Sequence, residues 1–151
     1  ASVCHVDAAK AVVGWAKENA ALSKLPDRVR WIVDDCLKFV AREIKRGKKY
    51  DAVVLDPPSY GRGPSGEVWK IEDSLFELLL LIRQLLSDTP LFLMLNCYSA
   101  GLSPTVTEMC LNEAVAKKTG GKTRAFEIGL KTGTGLLLPC GTTTIVEWET
   151  K

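Results

Sequence analysis

An α/β fold, with a mainly parallel, doubly wound sheet and a C-terminal antiparallel hairpin, is what this sequence predicts. Three observations carry that expectation. Short apolar, β-branched runs alternate with longer segments of helical periodicity in the order β-α-β-α-β-α-β-α-β-β. Three successive strands stop at carboxylates: Asp7, the pair Asp34 and Asp35, and Asp56. The third of them runs straight into two prolines, an aromatic ring and a glycine-rich stretch, Asp56-Pro57-Pro58-Ser59-Tyr60-Gly61-Arg62-Gly63.

Each element has its own justification. Ser2 to Val6 reads as a strand ending at Asp7. Ala8 to Leu22 reads as a helix with Asp7 as its cap, and Val12, Val13, Trp15, Ala16 and Ala20 form its apolar stripe. Pro26-Asp27 turns the chain into a second strand, Val29 to Val33, closed by Asp34 and Asp35. Leu37 to Lys45 is helical, with Leu37, Val40, Ala41 and Ile44 on one face. The run Ala52 to Leu55 has no polar residue, as expected of a strand covered on both faces. Gly61 to Lys70 is expected to be a mobile, partly exposed loop, followed by a helix over Ile71 to Leu86 and a strand over Leu91 to Leu95. Pro104 opens a helix reaching about Lys118, and Thr123 to Leu130 pairs with Thr142 to Glu149 as the terminal hairpin.

Composition narrows the function classes. The 151 residues make one domain at most, 46% hydrophobic and 25% charged, as in an ordinary globular protein. A net charge of +2 does not by itself diagnose a polyanion partner. The basic clusters Arg42, Lys45, Arg46, Lys48, Lys49 and Lys117, Lys118, Lys122, Arg124 read first as solvated helix ends and loops, although RNA contact stays open. Five cysteines form no CxxC pair, and with a single His they make no metal set; an odd count without a framework points to a reducing, cytoplasmic compartment. No signal peptide opens the chain, and Leu75 to Leu86 is broken by Glu77, Arg83 and Gln84, so no membrane role is expected.

The candidate site lies at the strand ends. Parallel strands put their carboxyl ends along one sheet edge, so the three acids should converge on one cleft, the place where open α/β sheets bind ligands. One carboxylate there accepts from both hydroxyls of a ribose, and one on the neighbouring strand accepts from an adenine amine. Pro57 keeps Asp56 out of helical geometry, and the two prolines remove two N–H donors. The result is a stiff rim of bare carbonyls beside a carboxylate. The dull alternative is that each Asp merely caps the helix that follows it. His5 reads as a structural residue. Gly120-Gly121 and the pair Gly133 and Gly135 read as turns, since none follows a strand and opens a helix.

Taken together, these segments resemble the class I S-adenosylmethionine-dependent methyltransferases, and within them the bacterial large-subunit ribosomal-RNA methyltransferases of the cytosine-C5 type. The segments are Val3 to Asp7, Ile32-Val33-Asp34-Asp35-Cys36, Asp51 to Gly63, Gly66-Glu67-Val68-Trp69-Lys70 and Asn96 to Pro104. Asp-Pro-Pro-x-aromatic after a strand is the most specific of them.

The resemblance implies a Rossmann-like fold, S-adenosylmethionine as cofactor and ribosomal RNA as partner, with the oligomeric state left open. It implies that Asp7 with Ala8 binds the ribose, and that Asp34, Asp35 and the backbone of Cys36 bind the adenine. Asp56 and Pro57 would face the methyl donor, and Pro58, Ser59, Tyr60 and Trp69 the target base, with a packing role equally open for Trp69. The family opens its domain with a strand and a glycine-rich turn that this sequence lacks. Residues 1–151 are therefore expected to be part of a catalytic domain that alone binds cofactor weakly or not at all.

Asn96-Cys97-Tyr98-Ser99-Ala100-Gly101-Leu102 resembles the segment whose cysteine attacks carbon 6 of cytosine, with one residue inserted and the flanking serines altered. Cys97 is thus either that nucleophile or a small apolar residue at a strand end. Asp56-Pro57-Pro58 also resembles the methyltransferases acting on base amines, where the acid and a proline carbonyl take hydrogen bonds from the amine. A non-catalytic nucleotide- or RNA-binding module that kept the sheet is the alternative from another class.

Overall fold

The computed structural model describes residues 1–25, 28–62 and 68–149. The turn expected at Pro26-Asp27 and the middle of the Gly61 to Lys70 stretch lie outside the described residues. The chain divides into two compact units, Ala1–Arg46 and Gly47–Lys151.

In the first unit, β1 (Val3–Asp7) and β2 (Val29–Val33) pair in parallel, with Asp7 opposite Val33. Helix α1 (Lys10–Leu22) joins them, and α2 (Cys36–Lys45) follows β2. The apolar face of α1 is narrower than the sequence predicts. Val13 is buried and Ala16 and Ala20 are half-buried on its i, i+3, i+7 face, whereas Val12 is exposed and Trp15 is 66% exposed.

The buried face of α2 is also turned from its expected position. Phe39, Val40 and Glu43 are buried, while Ala41 is exposed. The cause is electrostatic as well as apolar. Arg30 on β2 lies 5.7 Å from the Phe39 ring and 3.5 Å from Glu43, and Arg46 reaches Glu43 at 3.1 Å. A carboxylate left only 1% exposed needs such partners, and they draw that side of the helix inward.

The second unit holds a four-stranded sheet in the order β3-β6-β8-β7, built from β3 (Ala52–Leu55), β6 (Phe92–Cys97), β7 (Lys122–Lys131) and β8 (Leu137–Glu147). β3 and β6 are parallel, and the remaining pairs are antiparallel. The predicted hairpin is present, but its last strand inserts between β6 and β7. It also starts five residues before Thr142, because a bulge at Ile128/Gly129 absorbs the Pro139-Cys140-Gly141 irregularity.

β3 departs from the expectation of burial on both faces. Among the described residues it pairs only with β6, and Val54 is 60% exposed. Alternation in β6 is strict, with Leu93, Leu95 and Cys97 buried and the residues between them half-buried. Helix α3 (Ile71–Leu85) buries Ile71, Leu75, Leu78, Leu79, Ile82 and Leu85, an a/d-like stripe of a core helix.

The stretch predicted as one helix from Pro104 is α4 (Pro104–Leu111), a π-helical turn (Asn112–Ala116) and the short α5 (Lys117–Thr119). Within that turn, the Ala114 carbonyl accepts from Arg83 Nη1 at 2.9 Å. Gly120 ends α5 in the left-handed region at φ 75°. Gly135 turns the β7–β8 hairpin at φ 85°.

Two short strands were not expected. Where the sequence predicts a mobile loop, β4 (Tyr60–Arg62) and β5 (Val68–Lys70) form an antiparallel ribbon, with Gly61 opposite Trp69. Aromatic and β-branched side chains at 60, 68 and 69 favour the pleated arrangement. Ser59 O then accepts from Ile71 N at 3.1 Å, which ties the base of the ribbon to the start of α3. Among the described residues no helix is long and apolar enough to cross a membrane.

Candidate active site

The first unit brings Asp7 and Asp35 together at the carboxyl edge of β1 and β2. Parallel pairing through Asp7 and Val33 sets the two strand ends side by side, and Asp34 N donates to Asp7 O at 3.1 Å. Asp7 does not cap α1 as predicted. Its Oδ1 accepts from Ala9 N at 2.6 Å, closing a turn ahead of the helix, whose first flanking residue is Ala9. Asp35 does cap α2, accepting from Lys38 N at 2.8 Å. Asp34 is engaged by Arg42.

Cys36 reports how close these acids are. Its thiol donates to Val6 O at 3.8 Å, although the residue as a whole is exposed. Desolvation of the sulfur first, and then the charges of Asp7 and Asp35, push the thiol above its usual range. Both carboxylates therefore face one corner. Asp7 accepts from Ala9 N and Asp35 from Lys38 N through one oxygen each, and a carboxylate has about four acceptor positions. Acceptors remain there for a ribose diol and an amine, and the Cys36 N–H opens α2, where backbone donors have no helical partner.

The second unit carries Asp56 directly after β3. The last paired residues of β3 and β6 are Leu55 and Leu95, so Asp56 and Asn96 are the next residues along neighbouring parallel strands. Asn96 Oδ1 accepts from Thr143 Oγ1 at 2.8 Å, which turns its amide N–H groups to the other side. Asp56 is exposed, and Pro57 is half-buried.

The rim is less bare than predicted. Trp69 Nε1 donates to Pro58 O at 2.7 Å, so the indole is anchored to the rim as a buttress. Tyr60 is 50% exposed, and its hydroxyl accepts from Arg62 Nε at 2.8 Å. Ser59 and Pro58 are exposed. Cys97 is the last residue of β6, 1% exposed, on the same strand face as Leu93 and Leu95.

The chain is similar in sequence and fold to known methyltransferases. No family model matches the chain. A ribosomal RNA large subunit methyltransferase K/L from Pseudoalteromonas atlantica is 42% identical over 59 residues, 39% of this chain and 8% of that protein. A ribosomal RNA large subunit methyltransferase I from Tolumonas auensis is 30% identical over 96 residues, 63% of this chain and 24% of that protein. The crystal structure of a SAM-dependent methyltransferase from Agrobacterium tumefaciens superposes over 97% of this chain at 36% identity, with a TM-score of 0.86.

The chain has the fold of the class I S-adenosylmethionine-dependent methyltransferases and is similar to them in sequence. It spans 49% of the Agrobacterium protein and less of the two ribosomal-RNA methyltransferases.

Within this methyltransferase fold, one residue escaped the sequence reasoning. Tyr98 follows β6 and is 54% exposed. The charge of Asp56 is the largest of the influences that hold its phenol above the usual tyrosine range, ahead of desolvation and Cys140. Nothing local marks it, because its neighbour across the sheet is Gly141. A Cβ at 141 would lie 2.7 Å from Tyr98 Cδ1, and Gly141 itself holds φ 149°. The one hint in the sequence is an aromatic just past the next predicted strand after the Asp-Pro-Pro segment, and its exposure and place beside Asp56 emerge only in the fold.

Proposed function

We propose that residues 1–151 form part of the catalytic domain of an S-adenosylmethionine-dependent methyltransferase that acts on a nucleobase of ribosomal RNA in the cytoplasm. One observation carries the reading: an exposed carboxylate, Asp56, stands with the Pro57 carbonyl at the carboxyl end of a parallel strand, within electrostatic reach of a half-exposed tyrosine. An acceptor-only pair of this kind suits a base amine or ring N–H, which it would orient and relieve of charge as the proton is lost.

The cofactor supplies a methyl carbon made electrophilic by its sulfonium, which keeps the electron pair of the broken bond. Asp7, with Ala8, holds its ribose. Asp35 and the Cys36 N–H take its adenine, and the Asp34–Arg42 pair steadies the start of α2 beneath them. Pro58, Ser59 and Tyr60 border the base, and Trp69 holds the rim in shape through Pro58. Similarity to the two ribosomal-RNA methyltransferases supports an RNA substrate.

A second observation bears on which atom is methylated. An attack on carbon 6 of cytosine needs a thiolate that can reach the base. Cys97, 1% exposed on the core face of β6, favours the packing role and so an amine or ring-nitrogen acceptor over carbon 5.

The full-length gene product, given radiolabelled S-adenosylmethionine and bulk RNA, should label RNA, and digestion should release a base methylated on nitrogen. Asp56→Asn should lower the rate about 100-fold or more. Unlabelled RNA, or an Asp56→Asn protein as active as wild type, would defeat the reading. A 5-methylcytosine product abolished by Cys97→Ala would restore the cysteine mechanism instead.

A further inference from the structure

We propose that Tyr98 is the platform on which the acceptor base lies beside Asp56, and that its ring, rather than Tyr60 or Trp69, positions the base for transfer. The inference rests on the methyltransferase reading above and deepens it. It begins with the register of the sheet. β3 and β6 are neighbours and parallel, with Leu55 opposite Leu95, so Asp56 leaves one strand where Asn96 continues the other. Tyr98 stands two residues beyond Asn96, on the same edge as Asp56.

The ring has a built seat. Across from the end of β6 lies β8, with Cys97 opposite Thr142. The residue before Thr142 is Gly141, and the space its side chain would fill is taken by the ring: a Cβ would sit 2.7 Å from Cδ1, 3.1 Å from Cε1 and 2.8 Å from Cys97 O. The φ of 149° reinforces the need for glycine. One edge of the ring therefore rests on bare main chain, while half of the side chain stays exposed.

The residue after it is tethered as well. Ser99 Oγ donates to Glu72 Oε1 at 2.5 Å, fastening the turn to the start of α3. A ring seated along one edge on main chain, next to a tethered residue, loses less freedom than a free side chain when a base stacks on it. The two aromatics named by the motif are differently engaged, Tyr60 through Arg62 and Trp69 through Pro58. A base stacked on Tyr98 presents its polar edge to Asp56 at the end of the neighbouring strand, the largest of the influences that raise the phenol.

The test uses the full-length gene product with bulk RNA and radiolabelled S-adenosylmethionine, and measures kcat and KM for RNA beside the Kd for S-adenosylmethionine. Tyr98→Leu should lower kcat/KM for RNA about tenfold or more, the usual worth of one stacked base, with the Kd for S-adenosylmethionine unchanged. Tyr98→Phe, which keeps the ring, should recover most of the loss. A Tyr98→Leu protein as efficient as wild type would overturn the assignment. So would a loss shared equally by RNA and cofactor binding, or a Tyr98→Phe protein as poor as Tyr98→Leu. A wild-type protein that labels no RNA would instead remove the methyltransferase reading, and the assignment with it.

Discussion

Asp56 and Tyr98 form the chemically informative pair at the residue scale. Their coupling is measurable without any substrate. The Asp56 charge resists formation of a second anion on the phenol, so Tyr98 stays neutral to a higher pH than a free tyrosine. A folded-state value raised in this way contributes stability that is fully present below the ordinary tyrosine range and is lost as the pH rises through the raised value. Asp56→Asn removes the largest of the influences that hold the phenol up. Spectrophotometric titration, with Tyr98→Phe as the blank for Tyr50 and Tyr60, should then show Tyr98 ionising at lower pH. An unchanged titration would mean that desolvation, not Asp56, sets the value. Cys97 was legible in the sequence only as a pair of alternatives, because the segment around it shows chemistry and not depth. Strand alternation in the folded sheet is what turns its side chain to the core.

At the scale of the element, Asp35 has two separable roles. Its carboxylate caps α2 by accepting from Lys38 N, and the proposed reading also gives it the adenine amine. Asp35→Ala removes both, and should cost about 1 kcal/mol of stability in a denaturant titration as well as cofactor affinity. Asp35→Asn keeps a capping oxygen, so its stability should stay near wild type while S-adenosylmethionine binding by the full-length protein weakens. Equal cofactor binding by wild type and Asp35→Asn would leave Asp35 as a cap alone.

β8 poses a different question, since its first five residues carry the seat for Tyr98. Gly141→Ala would need a φ of 149° and would collide with the ring. It should destabilise the protein by more than about 1 kcal/mol, read as a lowered Tm. That strand start was not legible, because Pro139, Cys140 and Gly141 interrupt the alternation that marks Thr142 onward. The bulge opposite them is a property of pairing, not of either strand by itself.

For the whole molecule, stability of the second unit rests on the apolar stripe of α3 and the inward residues of β6 and β8. Leu79 is fully buried in that core, and Leu79→Ala should cost about 2–5 kcal/mol by calorimetry or denaturant titration. Trp15 is the contrasting case, an aromatic of the first unit left mostly exposed. Its replacement should change stability by no more than about 0.5 kcal/mol. The alternation of strand and helix, the acids at the strand ends and the diproline rim were all determined by the sequence alone. Each depends on period, backbone restriction or side-chain chemistry within a few neighbouring residues. Tertiary structure alone decided that α2 turns Phe39 and Glu43 inward, that Trp69 fastens Pro58, and that β8 enters beside β6 with Gly141 under Tyr98. Those outcomes depend on contacts between residues far apart in the chain, where packing and charge pairing choose among faces that local periodicity leaves equivalent.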